Sequence, residues 1–124
     1  MIDFKNPKYL KLRETEDTRH LASMQEYLAQ GEAFRYVFVS VRDRIYFTNK
    51  RLIVVNVEGV TGVKKNMTSL PYKTIQAFSV ETAGVADIDS ELQLWFSGLG
   101  PITFEFTCGK AIKNIMKLLG DYVL

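Results

Sequence analysis

The chain has little of what reactive sites are usually built from. Its 124 residues include one cysteine, Cys108, and one histidine, His20. A single cysteine excludes an intramolecular disulfide and points to a reducing compartment. One imidazole and one thiol fall short of a zinc site, which takes three or four protein ligands. Long apolar runs are missing too: stretches such as Leu52-Ile53-Val54-Val55 are as long as they get, against the roughly 20 residues of a membrane-spanning helix. The N-terminus, Met1-Ile2-Asp3-Phe4-Lys5-Asn6-Pro7, has no apolar stretch of the signal-peptide kind, so a cytoplasmic location is expected. Nor is there a charge excess. Sixteen Lys and Arg against fourteen Asp and Glu leave a net +2, too little to argue for nucleic acid, which is not expected as a partner. No nucleophile elbow, phosphate-cradling glycine loop or triad is present. No enzymatic activity and no cofactor are expected.

What the chain does have is enough apolar material for one core. Hydrophobic residues make up 47% and charged residues 24%, the composition of a globular domain. Residues 1–17 mix charges without period and read as an N-terminal arm. A helix over about 18–30 follows, with Asp17 or Thr18 as N-cap and Leu21, Met24 and Leu28 as a narrow apolar stripe. Gly31 supplies the permissive position after its end. From Phe34 to Thr107 come seven short apolar segments separated by turn residues. The turns sit at Arg42-Asp43, Asn49-Lys50, Glu58-Gly59 with Gly62, Pro71, the polar loop from Ala83 to Ser90, and Gly98-Leu99-Gly100-Pro101. In the last two segments Leu92, Leu94, Phe96 and Ile102, Phe104, Phe106 alternate with polar residues, the mark of a hairpin with one buried face. The period then changes. Ile112, Ile115, Leu119 and Tyr122, widened by Met116 and Leu118, form an amphipathic helix over about 110–122. Seven antiparallel strands closed by one helix make a small, mainly β barrel.

These residues resemble a known family. The run Arg42-Asp43-Arg44-Ile45-Tyr46-Phe47-Thr48-Asn49-Lys50-Arg51-Leu52-Ile53-Val54-Val55 is similar to the second and third strands of bacterial pleckstrin-homology-like proteins. Ser69-Leu70-Pro71-Tyr72-Lys73-Thr74-Ile75, Phe78-Ser79-Val80-Glu81-Thr82-Ala83-Gly84 and Leu94-Trp95-Phe96-Ser97-Gly98 resemble further motifs of that family in the same order. The likeness spans about residues 31–120. It implies a seven-stranded, strongly bent antiparallel barrel capped by the C-terminal helix, and a cyclic homo-oligomer that presents a repeated surface to a protein partner. Many binding tasks share such scaffolds.

Two surfaces are candidates. Alternation turns Gln93, Trp95 and Glu105 outward, and tryptophan is a frequent contact anchor. They are the expected first patch of a two-patch interface, and the first strand with Arg42 and Arg44 is the expected second. The bland alternative for Trp95 is a lid made by Leu21, Met24 and Leu28. The second candidate is an anionic-ligand cluster of Arg35, Arg42, Arg44, Lys50, Arg51, Lys64 and Lys65, suited to lipid headgroups. Against it, the first hairpin turn is short and Asp43 separates two arginines, which suits an edge salt-bridge network as well. The Asp87-x-Asp89-x-Glu91 spacing starts like a calcium loop, but Leu92 and Gly98 stand where glycine and glutamate are needed. Cys108 precedes a helix, where a thiol pKa can fall; a buried small hydrophobe is the plainer reading.

Overall fold

The computed structural model describes residue 2 and residues 8–15, 19–58, 64–82, 89–107 and 111–124, the side chains of Arg19 and His20 excepted. In chain order the elements are β1 (Lys8–Glu14), α1 (Arg19–Met24) running into a 3-10 turn at Gln25–Tyr27, β2 (Phe34–Val39), β3 (Asp43–Thr48), β4 (Arg51–Glu58) and β5 (Lys64–Pro71). A 3-10 turn at Tyr72–Thr74 leads to β6 (Ile75–Glu81), β7 (Ser90–Phe96), β8 (Gly100–Phe106) and α2 (Ile112–Val123). The mainly β architecture with its C-terminal helix is as expected. The strand count is not: among the described residues the sheet has eight strands, in the order β5-β4-β3-β2-β1-β8-β7-β6.

The added strand lies inside the stretch read as an arm. Lys8 and Tyr9 pair in parallel with Thr103 and Phe104 of β8, and Leu12 pairs with Phe106. Arg13 and Glu14 then pair antiparallel with Val39 and Phe38 of β2. The β8 pairing is interrupted by a bulge between Tyr9 and Leu12, where Lys11 takes φ 55°, just before the change of partner at Arg13. A bulge adds a residue and bends its strand. Tyr9 and Leu12, three positions apart, thereby both enter the core at 5% and 0% exposure. Period two is broken at that point, so the charges alone are legible.

The main core lies between the two halves of the sheet. Leu92, Leu94, Phe96, Ile102, Phe104 and Phe106 face Phe38, Ile45, Phe47, Leu52 and Val54, and Ile112, Ile115, Leu118 and Leu119 of α2 close it. Phe38 bridges the halves, its ring 4.7 Å from Phe106 and 5.7 Å from Phe47. Met116 departs from the expected stripe: it is 52% exposed, while Leu118 is buried.

A second, smaller core sits on the opposite side of β2, β3 and β4. Met24 packs with Val37, Tyr46, Ile53 and Val55, flanked by Leu21, Leu28 and Phe34. The α1 stripe is therefore used, but over this half-sheet rather than over Trp95. The helix is also shorter than its expected span. Leu28 is already extended (φ −75°, ψ 141°), and a turn takes over in which the Glu32 N–H donates to the Ala29 carbonyl at 3.0 Å. Gly31 is left-handed (φ 76°) as expected, serving that turn rather than a helix end.

Candidate functional site

The strand register divides the expected basic cluster in two. Phe34 pairs with Thr48 and Arg51 with Pro71 at one end of the half-sheet; Val39 pairs with Arg44 and Glu58 with Lys64 at the other. Arg35, Lys50 and Arg51 thus lie at the first end, and Arg42, Arg44, Lys64 and Lys65 at the second. They form no single site.

At the first end Arg51 is already engaged. Its Nε donates to Glu32 Oε2 and its Nη2 to Glu32 Oε1, both at 2.9 Å. Nη2 also donates to the Tyr27 carbonyl at 2.9 Å, and Nη1 to Ser69 Oγ at 2.7 Å. The Glu32 side chain has 0% exposure and that of Arg51 24%. Thr48 Oγ1 donates to Glu32 Oε2 at 2.6 Å and the Ala29 N–H to Oε1 at 2.9 Å. Burial pushes the Glu32 carboxyl up, but the hydrogen bonds from Arg51, Thr48 and Ala29 and the Arg51 charge outweigh it and hold the group at about 2. Arg51 is a structural residue, joining the end of the α1 segment to β4 and β5. Glu32 escaped the sequence reading because nothing local links positions so far apart.

Around this pair the surface stays basic. A cleft of about 500 Å³ is bordered by Asn49, Lys50, Lys73 and Tyr122. A second, of about 380 Å³, is bordered by Arg35, Lys117, Asp121 and the same Tyr122. Tyr122 stacks on buried Tyr72 with ring centroids 5.9 Å apart at 15°, and its hydroxyl accepts from Arg35 Nη2 at 3.3 Å. Burial pushes the Tyr72 hydroxyl up; it donates to the Thr48 carbonyl at 2.7 Å. Lys73, Lys117 and Tyr122 were not among the expected site residues. Lys73 stands inside a motif read for fold, and Tyr122 continues the helical stripe.

At the other end, Arg13, Arg42 and Arg44 border a cleft of about 420 Å³ with Thr15 and Ser40. They come from β1, the β2–β3 turn and β3. Arg42 Nη1 donates to the Val57 carbonyl at 3.3 Å, and Asn56 Nδ2 to Asp43 Oδ1 at 2.8 Å. Asp43 is thus tied to β4 rather than bridging its flanking arginines. Lys65 pairs with Val57 and lies at the same end. Arg13 was missed because its strand was.

On the second half-sheet, Gln93, Trp95 and Glu105 do share the outward face, each half-buried. Trp95 lies between Ala77 of β6 and Pro101 of β8. Gln93 Nε2 donates to Thr103 Oγ1 at 3.2 Å, and Glu91 stands directly opposite Glu105. Arg42 and Arg44 belong to the other half-sheet. The two candidate patches therefore lie on different half-sheets.

The N-cap candidates Asp17 and Thr18, the turn glycines Gly59 and Gly62, the loop over 83–88 with Asp87, and Cys108 lie outside the described residues, as does the His20 side chain. Among the described residues no group of three or more His, Cys, Asp or Glu is placed to hold a metal ion, and no helix is long and apolar enough to cross a membrane.

Comparison with known proteins agrees with this architecture. The model of the family described as "Bacterial PH domain" matches residues 4–123. YjqA, an uncharacterized protein of Bacillus subtilis (strain 168), is 46% identical over 108 residues, covering 82% of this chain and 86% of its own. The crystal structure of a DUF1696 family protein with a pleckstrin-homology domain from Shewanella loihica PV-4 superposes with a TM-score of 0.79 at 35% identity, over 93% of this chain and 99% of that one. A pleckstrin homology domain from Shewanella amazonensis SB2B gives a TM-score of 0.66 at 39% identity, over 89% and 90% of the two chains.

Proposed function

The chain belongs to the bacterial PH domain family, and from that premise we propose that it is a non-enzymatic, cytoplasmic module. In this reading it assembles with copies of itself into a closed ring and presents a repeated surface to a protein partner. The observation that carries the reading is the order of the sheet. Among the described residues β5 and β6 each have a strand on one side only, and a bare edge offers N–H and C=O groups to another chain. The two edges differ in sequence, so a contact between them is heterologous, the kind that closes into rings. Trp95 lies one strand in from the β6 edge, half-exposed and beside Ala77, where an incoming subunit can bury it. Trp95→Asp is expected to give monomers in light scattering with β-rich circular dichroism retained. A native mass that does not change in this variant takes Trp95 out of the interface, and a parent mass of 14.2 kDa removes the ring altogether.

The Arg13–Arg42–Arg44 cleft supports a second reading, a peripheral module for anionic lipid headgroups, with Lys64 and Lys65 at the same end. Guanidinium groups from separate elements around one cavity suit phosphate oxygens. Arg51 has no part in it, being committed to Glu32. Sedimentation with anionic vesicles at low and physiological salt decides the matter, because such binding weakens with ionic strength.

A further inference from the structure

The helix-capped end of the molecule carries a basic surface that neither reading above assigns. We propose that the paired clefts around Tyr122 are a docking site for an extended acidic peptide segment of a protein partner. The proposal rests on the partner-binding half of the function proposed above and names the chemistry of that partner.

The charge balance comes first. Glu32 borders the larger cleft, but its carboxylate is spent on Arg51, Thr48 and Ala29. The pair cancels, leaving Lys50 and Lys73 as uncompensated cations on that rim. Both side chains are exposed. Lys50 Nζ donates to the Gln30 carbonyl at 3.2 Å, which holds the ammonium at the cleft mouth without neutralising it. The smaller cleft adds Arg35 and Lys117 against Asp121. Four cations therefore surround one aromatic ring that is 37% exposed and stiffened from beneath by Tyr72. They come from four places in the chain: β2, the β3–β4 turn, the 3-10 turn before β6, and α2. The fold, not a local run of lysine, gathers them.

The arrangement selects the ligand. Donors that converge on one point suit a single phosphate; here they are spread over two open clefts with Tyr122 on the ridge between. An extended chain with carboxylates on either side of an apolar or aromatic residue matches that layout, the ring lying on Tyr122 and the acids reaching Lys50 and Lys73 on one side, Arg35 and Lys117 on the other. Single-stranded nucleic acid fits less well. It needs a groove that tracks a continuous backbone, and Asp121 interrupts the positive surface.

The test uses the full chain and a fluorescein-labelled peptide of alternating glutamate and serine with one central phenylalanine, read by fluorescence anisotropy at low and physiological salt. The expected result is saturable binding that weakens about tenfold or more in the Lys50→Glu/Lys73→Glu variant. A control with the same change in charge, Lys8→Glu/Lys11→Glu on the exposed side of β1, keeps the parent affinity. Equal losses in both variants, no saturable binding, or tighter binding of an oligothymidine of equal charge each overturn the proposal. Light scattering on the same samples separates the two ideas. Peptide binding by a monomeric protein leaves this site standing and removes the ring, whereas an intact oligomer that ignores the peptide does the reverse.

Discussion

On folding, Glu32 loses its water, and Arg51, Thr48 and the Ala29 N–H take its place. A carboxylate with 0% exposure and no guanidinium beside it is a buried, uncompensated charge, which costs about 3–5 kcal/mol. Arg51→Ala should therefore destabilise by that order, measured in urea unfolding at neutral pH, whereas Glu32→Gln, which removes the charge as well, should cost less. The pair also sets an acid limb. Because the folded carboxyl lies below its ordinary value of 4.5, at about 2, its contribution is fully present above about pH 4.5 and is lost as pH falls through about 2. A shift of that size corresponds to about 3 kcal/mol at most. Unfolding of the parent between pH 5 and pH 2 should lose stability more steeply than unfolding of Glu32→Gln, and identical slopes would falsify the assignment.

β1 holds the two halves of the sheet together. Its residues up to Leu12 belong to the β8 side, and Arg13 and Glu14 to the β2 side. Removing it uncovers an edge on each half and withdraws Tyr9 and Leu12 from the core. Leu12→Ala is expected to cost about 2–5 kcal/mol, as for a fully buried leucine, while Leu10→Ala, at 52% exposure, stays within about 0.5 kcal/mol. Thermal unfolding of the two variants side by side measures the difference; similar losses would mean that β1 contributes little to the joint. The hairpin of β7 and β8 was legible because one face is buried and the other is not, so alternation reports it directly. The bulge at Lys11 erases the same signal in β1. At the α1 segment the apolar stripe was legible, but its target was not: Trp95 and the Val37–Tyr46–Ile53 surface are both apolar, and no local pattern chooses between them.

For the whole molecule, the two edges left bare among the described residues carry opposite charge. β5 begins with Lys64 and Lys65 and has no acid, whereas β6 ends with Glu81 and has no base. If β5 of one copy meets β6 of the next, antiparallel pairing brings those lysines to Glu81, and parallel pairing does not. Under the proposed assembly Glu81→Lys should lower the native mass, and mixing it with a Lys64→Glu/Lys65→Glu variant should restore part of the lost assembly. Analytical ultracentrifugation of each variant and of the mixture checks this, and an unchanged mass in Glu81→Lys would exclude antiparallel pairing of these two edges. Lysines on an edge also discourage unwanted strand addition, so the mixture is the more telling arm.

The sequence by itself determined the class of the fold, the seven segments from Phe34 to Thr107, the buried face of the last hairpin and the C-terminal helix. Those features arise from local periodicity, and burial on one side of an element imprints it residue by residue. Tertiary structure alone decided that residues 8–14 form a strand, that Arg51 serves Glu32, and that the cations divide between two ends with Tyr122 at one of them. Each of these depends on register or on partners far apart in the chain. Geometry of that kind is set when the strands are brought together, and no window of neighbouring residues contains it.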